Sequence, residues 1–324
     1  MFTIPPGQAP GPRPVSRGMR TLLYVLTALT VFAGIQLFVL ADHTDVFFSW
    51  TINPPVTATF VGAGFWSAAT VVFWCARQRD WALARVIVPT VAAVATMLLV
   101  ATLQHLELFH GPLGAAWIEV YAAFPPLLAA IVVQQLAVKG ADHHSGERLP
   151  RSLRLTLAVQ AGVAGAAGAL LYLDPSLAPS LWPWELTDLT SKAVGTWLVG
   201  TAITAGFVAV LDDRAAMPGW ALAQVVLGAG VLFGVARFAG DVDFSEASAW
   251  ALIAYMASTA ASGGYGAWIA WREERFAPSR TPGGVPVELR LGELPSGQPN
   301  GAAGPWGLAQ SNGRLVEEAS AGRR

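Results

Sequence analysis

The sequence predicts an all-α membrane protein: eight transmembrane helices forming two tandem four-helix repeats, with both termini in the cytoplasm. Three observations predict it, namely long apolar blocks, basic residues confined to one set of loops, and similar sequence segments in the two halves. The 324 residues are 54% hydrophobic and only 13% charged, whereas about a quarter of the residues in a soluble domain are charged. An apolar block of about twenty residues spans the bilayer hydrocarbon as a helix.

Helices are expected rather than strands because the blocks lack strict alternation of apolar and polar residues. Only helices and closed barrels satisfy their own backbone groups in lipid. The first block has a basic flank like a signal peptide but is too long to be one, which predicts an uncleaved anchor. The predicted spans are approximately 20–40, 55–76, 81–102, 113–138, 153–173, 189–211, 220–239 and 247–271.

The repeats define the predicted domains. A cytoplasmic linker joins the two repeats, and a disordered cytoplasmic tail flanks each end, because segments rich in Pro, Gly and Ser bury little apolar surface. In order, the segments are the tail 1–18, the first repeat 19–138, the linker 139–152, the second repeat 153–271 and the tail 272–324.

The basic residues predict the orientation. The tails and the connections after the second, fourth and sixth spans contain nearly all Arg and Lys, and the four opposite loops contain none. The positive-inside rule places the basic side in the cytoplasm. Heavy use of Ala, Gly, Val and Arg is typical of a GC-rich bacterial genome. The sequence thus predicts a multi-pass protein of the bacterial inner membrane with its N and C termini inside.

The internal repeat is clearest at the start of the second and sixth spans. Trp50 to Gly64 reads W-T-I-N-P-P-V-T-A-T-F-V-G-A-G, and a weaker copy runs from Trp184 to Gly195. The third and seventh spans begin W-A-L-A-R and W-A-L-A-Q. Because each half contains an even number of spans, the halves should be related by an axis along the membrane normal.

The two helix starts carry residues suited to a membrane interface. Asn53 and Thr187 are predicted N-caps, and Pro54 with the proline after it suits a first helical turn. Trp50 and Trp184 are expected at the level of the lipid headgroups. One interpretation is a pair of anchored, capped helices, and the other is a pair of facing helix starts that bind an anion or substrate.

Three ionisable residues fall inside predicted spans: Glu119, Lys192 and Arg237. Such residues usually face the interior of a bundle and pair. Lys192 and Arg237 each have an acidic residue four positions away, at Asp188 and Asp241, so local pairing or snorkelling accounts for both. Glu119 has no local cation and is the best single candidate for handling a proton or cation.

The fourth and eighth spans contain residues that can interrupt a helix. Pro125 and Pro126 lie midway along one, and Ser258 and Thr259, followed by glycines, lie at matching depth in the other. Paired interruptions in corresponding segments indicate a binding site near the midplane. Close packing of small residues is the alternative.

Metal, cofactor and nucleic-acid sites have little support. His105, Glu107 and His110 are weak metal candidates, but their spacing matches no zincin or EF-hand pattern, and a solvated acidic face is favoured. The histidines lie in loops or at span ends, which argues against haem, so no cofactor is predicted. Cys75 is the only cysteine, which excludes an internal disulfide. A net charge of −1 indicates no nucleic-acid partner, and no catalytic motif favours an enzyme.

The run that begins at Trp50, W-x-I-x-P-P-x-T-A with Gly62-Ala63-Gly64 after it, resembles a family of uncharacterised bacterial multi-span membrane proteins. The resemblance covers the first half and the W-P-W-x-L-T segment from Trp182. It implies a polytopic membrane fold and no particular activity.

Two functions are therefore considered. The first is transport of a small solute or ion through a path between the repeats. The second is a non-transporting scaffold, assembly or sensing component that contacts lipid and another membrane protein. A water-accessible cavity at the repeat interface that is lined by Glu119, Pro125 and Ser258 would favour transport.

Overall fold

A computed structural model describes residues 11–142 and 146–276, and its named elements are all helices. Eight of them are long. They are α1 Arg17–Gly34, α2 Pro55–Arg77, α3 Trp81–Gln104, α4 Gly111–Leu136, α5 Arg151–Leu173, α6 Asp188–Leu211, α7 Met217–Arg237 and α8 Ala247–Phe276. A π-helical turn, Ile35–Val39, extends α1, and a 3-10 turn, Arg85–Ile87, lies within α3. Short turns occupy the loops: Ala41–His43, Thr44–Phe47, Leu106–Leu108, Pro175–Leu177, Ala178–Leu181, Arg214–Ala216 and Ala239–Asp241.

Among the described residues, the seven helices α1 to α7 are long and apolar enough to cross a bilayer. This finding confirms a multi-span helical membrane protein, and seven predicted spans match helices to within a few residues. The predicted eighth span corresponds to α8, which has 30 residues but is not among the seven. It contains three Ser, three Gly and two Tyr residues, which lower its mean hydropathy.

The basic connections meet at one end of the bundle, here called the arginine end. Arg85 Nη1 lies 2.6 Å from Asp142 Oδ2, and Arg20 donates to the carbonyl of Gln78. The chain before α1 also lies there, because the Arg13 backbone N–H donates to the carbonyl of Ala141 at 2.9 Å. Residues 11–16 are therefore hydrogen-bonded to the bundle, although the sequence predicted a tail to residue 18. Residues 1–10 and 277–324 of the predicted tails lie outside the described residues.

The remaining loops, 40–54, 105–110, 174–187 and 238–246, meet at the opposite end, here called the tryptophan end. The hydroxyl of Ser49 donates to the carbonyl of Leu113 at 3.1 Å. The backbone N–H of Asp243 donates to the carbonyl of Pro183 at 3.0 Å. Successive helices thus run in opposite directions through the bundle.

Helix packing places α2 at the centre and α4 at the periphery. Of the most apolar part of each helix, 72% is buried in α2 and only 11% in α4. Helix α2 packs against α1 and α7, while α3 packs against α6 and α4. The remaining large contacts join α5 to α6 and α7 to α8. The core therefore contains helices from both halves of the chain.

Close backbone approach explains one of these contacts. A Cβ atom on Gly168 of α5 would lie 2.7 Å from the carbonyl oxygen of Gly195 on α6. Only a residue without a side chain fits there, as in other close-packed membrane helices. By contrast, a Cβ atom on Gly162 of the same helix would meet no atom within 4 Å.

Candidate functional site

The first turn of α2 is capped from the other half of the chain. Asp241 Oδ2 accepts the backbone N–H of Val56 at 3.3 Å. Pro54 occupies the N-cap position without a capping hydrogen bond from its side chain, and the helix begins at Pro55. The prediction that Asn53 caps this helix was wrong. The free N–H groups of a first turn donate to any acceptor within reach, and here a distant carboxylate supplies it.

The start of α6 follows the prediction. Thr187 is its N-cap, with extended backbone, and its Oγ1 accepts the backbone N–H of Thr190 at 3.3 Å. Asp188 adds negative charge to the first turn, which the helix dipole favours. Just before this cap, Trp184 Nε1 donates to Thr57 Oγ1 of α2 at 2.8 Å. The two predicted helix starts therefore do meet.

The tryptophans beside these helix starts are buried in the protein. Trp50 and Trp184 are only 3% and 6% exposed, which differs from the expected position among lipid headgroups. The ring of Trp50 lies 4.6 Å from that of Phe48 and 5.1 Å from that of Trp117. Trp184 packs on Trp182 at 5.2 Å. Aromatic packing explains why these rings are buried in the protein, because each ring removes a large apolar area from solvent.

Lys192 is held by the neighbouring helix. Its Nζ donates to the carbonyl of Tyr172 on α5 at 3.0 Å and lies 4.9 Å from the centre of the Tyr172 ring. The partner suggested by the sequence, Asp188, is not the group that it contacts. A carbonyl near the end of α5 and an aromatic face thus satisfy the ammonium group.

Arg237 likewise bonds to a distant element. Its Nη1 donates to the carbonyl of Phe38 at 2.8 Å, and its Nη2 pairs with Asp42 at 3.0 Å. The local partner predicted for it, Asp241, instead caps α2. Lys192 and Arg237 therefore each close the tryptophan end of a helix by binding one of its last carbonyls.

Glu119 lies on the exposed surface of α4, and no described residue gives its carboxylate a hydrogen bond or an ion pair. Pro125 is half-buried and Pro126 is exposed. Helix α4 continues through both prolines, so the expected interruption does not occur in it. Each proline lacks a backbone N–H, yet the helix extends ten residues beyond Pro126 to Leu136.

Ser258 and Thr259 lie within α8, which also continues without a break. Both hydroxyls donate to the carbonyl of Tyr255 one turn earlier. Ser258 also accepts a hydrogen bond from the side chain of Gln160 on α5, and Gln160 contacts Ser262 as well. Gln160 was not among the predicted site residues, although a glutamine inside an apolar span is a signal that could have identified it.

The weak metal candidates belong to no metal-binding group among the described residues. In the part of the chain that the structure describes, no group of three His, Cys, Asp or Glu side chains could hold a metal ion. His105 bonds through Nδ1 to the carbonyl of Ala101 at 2.9 Å. Glu107 and His110 are exposed.

A small cavity of about 40 Å³ lies between α2, α3, α6 and α7. Its wall includes Thr90 and Thr204, whose hydroxyl oxygens lie 2.8 Å apart. It also includes Gln224, Trp197 and Trp220, whose side-chain N–H groups are buried without a partner among the described residues. Buried donors of this kind require an acceptor such as water.

A larger cavity of about 210 Å³ lies between α1, α3 and α4 and is mainly apolar. Trp117, Tyr121 and Phe124 of α4 line it, with Phe65 and Trp197 from the core. Glu119, Pro125 and Ser258 are not among the described residues that line either cavity. The structure thus brings Trp184 to Thr57 but leaves these three candidates apart.

Comparisons with family models, curated proteins and solved structures find no match to this chain.

Proposed function

We propose that the chain consists of two tandem four-helix repeats with α8 as an eighth span. Matching contacts support this arrangement. Helix α1 packs on α2 as α5 packs on α6, and α3 packs on α4 as α7 packs on α8. Across the halves, α2 meets α7 as α6 meets α3. An even number of spans and the positive-inside rule then place both termini in the cytoplasm of a bacterium.

We further propose that the protein is an assembly component that binds a transmembrane helix of another protein through α4. Glu119 is the observation that carries this proposal. It lies eight residues after Gly111, the first residue of α4, or about 12 Å along the axis. A carboxylate at this depth is costly when it faces lipid. A partner helix with a cation or a hydrogen-bond donor at the same depth would satisfy it.

The surface around Glu119 suits close helix packing. At 3.6 residues per turn, it shares one face of α4 with five other residues. All are exposed, and most are small: Ala115, Ala122, Pro126, Ala129 and Val133. Small residues let helix backbones approach, and polar side chains then bond across the interface. The opposite face of α4 carries Trp117, Tyr121 and Phe124 and lines the larger cavity.

Site-specific photo-crosslinking tests this function in native membranes. A photoreactive phenylalanine analogue at Ala122 should form an adduct of one discrete mass with a partner protein. The matched control is Val159 of α5, which is 58% exposed and lies away from this face. Glu119→Leu should abolish the adduct, while Glu119→Gln, which still forms hydrogen bonds, should retain part of it.

The crosslinking result can contradict the proposal in three ways. Ala122 could yield only lipid adducts, or Val159 could yield the same protein adduct. Persistence of the Ala122 adduct in Glu119→Leu would also remove the carboxylate from the interface.

Transport between the repeats is the second candidate, and the small cavity supports it. That cavity lies where the halves meet, and it combines hydroxyl groups with unpartnered N–H groups. In proteoliposomes, Gln224→Leu should then reduce the flux of a small solute or ion, with Gln160→Leu as a control for the loss of a buried amide. Glu119→Gln should alter proton-linked flux if Glu119 handles the proton, and unchanged flux would exclude that role.

A further inference from the structure

The larger cavity is open toward the bilayer and closed toward the arginine end. Its mouth lies between α1 and α4, where Leu29, Phe32 and Val120 are 43%, 55% and 41% exposed. Toward the arginine end, Leu22 and Phe124 belong to a buried apolar cluster that joins α1 to α4. A molecule would therefore enter sideways from lipid and end against this cluster.

The depth of the cavity equals about one leaflet of a bilayer. On α1 its lining runs from Leu26 to Gln36, and on α4 it runs from Leu113 to Phe124. At 1.5 Å per residue, both stretches are about 15 Å long. The hydrocarbon core of a bilayer is about 30 Å thick, so each leaflet contributes about 15 Å. The long axis of the cavity follows the helices, as a lipid chain does.

The lining of the larger cavity is mainly apolar, which favours binding of a hydrocarbon chain. Most of the hydroxyl and amide groups in the wall already bond within the protein. Thr30 donates to the carbonyl of Leu26, Gln36 to that of Phe47, and Ser49 to that of Leu113. The residues that bring polar groups nearest the tryptophan end are Gln36 and Ser49. Thr90, whose hydroxyl bonds to that of Thr204, and apolar and aromatic side chains form the rest of the wall.

We infer that this cavity binds one acyl chain of a phospholipid, whose headgroup lies at the tryptophan end. An apolar cavity of about 150 Å³ is enough to hold benzene, and this one of about 210 Å³ opens into lipid. The fit to one leaflet favours an acyl chain over an isoprenoid chain, which is much longer. This binding does not depend on a partner helix on the other face of α4.

Photolabelling of the purified protein in nanodiscs tests the inference. The discs are made of phosphatidylcholine with a small fraction that carries a diazirine midway along one acyl chain. Adducts should concentrate on Phe32 and Tyr121. Ala116→Trp, at an exposed position in the cavity lining, should reduce labelling of Tyr121 about tenfold. Ala123→Trp, at an exposed position of α4 outside the lining, should leave labelling unchanged.

Two results would overturn the inference. Labelling of Tyr121 no stronger than that of lipid-facing Val159, and unaffected by Ala116→Trp, would mean that only surface lipid is present. Labelling by a diazirine-bearing isoprenoid quinone that excess phosphatidylcholine does not displace would assign the cavity to a different ligand. Thermal unfolding of both tryptophan variants verifies that each is folded.

Discussion

Trp184 Nε1 donates a hydrogen bond of 2.8 Å to Thr57 Oγ1, and both side chains are buried although 127 positions separate them. The bond joins the segment before α6 to the first turn of α2. A buried indole N–H needs a hydrogen-bond acceptor, and Thr57 supplies it. This contact ties the two halves together at the tryptophan end.

Thr57→Val should destabilise the protein by about 1–3 kcal/mol, because it leaves a buried N–H without an acceptor. Thermal unfolding in detergent measures the loss. Thr70→Val is the control, since the hydroxyl of Thr70 bonds only to a carbonyl of its own helix, that of Trp66. The bond contributes nothing if Trp184→Phe lowers the free energy of unfolding by the same amount in the wild-type protein and in the Thr57→Val variant.

Gly168→Ala should destabilise the packing of α5 on α6 by about 1–3 kcal/mol, because its methyl group would collide with the carbonyl of Gly195. Gly162→Ala is the matched control on the same helix. It meets no neighbouring atom and should be neutral or slightly stabilising. Equal melting temperatures for the two variants would mean that the backbones do not approach this closely.

Asp241→Ala should cost about 1 kcal/mol, as expected for loss of a helix cap. Its carboxylate accepts the N–H of Val56 from a distance of 185 positions in the chain. Asp45→Ala is a suitable control because Asp45 is exposed and bonds to no described side chain. Hydrogen exchange at the start of α2 should rise only in the first variant. A similar rise in both would point to a general loss of stability.

Ser245→Ala should raise the pKa of Asp243 toward its ordinary value of 3.8. In the folded protein the Ser245 hydroxyl, at 2.6 Å, and then its backbone N–H, at 2.9 Å, lower the pKa of this exposed carboxyl. A carboxyl whose pKa is lowered by folding stabilises the fold at pH values above its pKa in the unfolded chain. This stabilisation is lost as the pH falls through its pKa in the folded protein. NMR titration of the carboxyl carbon measures it. An unchanged pKa would contradict the assignment, and Ser248→Ala should have no effect.

Reporter fusions test the eighth span. Alkaline phosphatase fused after Asp243 should be active outside the cytoplasm, and the same enzyme fused after Arg324 should be inactive. If α8 does not cross, both fusions will be active. A fusion after Phe47 should be as active as the one after Asp243. If it is inactive, the predicted orientation of the whole protein is wrong.

The sequence predicted what depends on composition and local pattern. Apolar blocks identified the helices, and Thr187 capped α6 as expected because a cap needs only the next turn. The partners of Lys192, Arg237 and Asp241 could not be predicted, since each contacts a group that only the folded chain brings near. The cavities were missed for the same reason, whereas Gln160 stood out in the sequence as an amide inside an apolar span.

The pairing of α2 with α7 has a consequence for biosynthesis. Arg77 ends α2 and Met217 begins α7. The ribosome must therefore add about 140 residues after α2 is complete before it begins α7. At translation speeds of about 5–20 residues per second, this takes on the order of ten seconds. During that time the face of α2 that later packs on α7 must be covered by lipid or by an insertion chaperone. Cells limited in such chaperones should degrade this chain early.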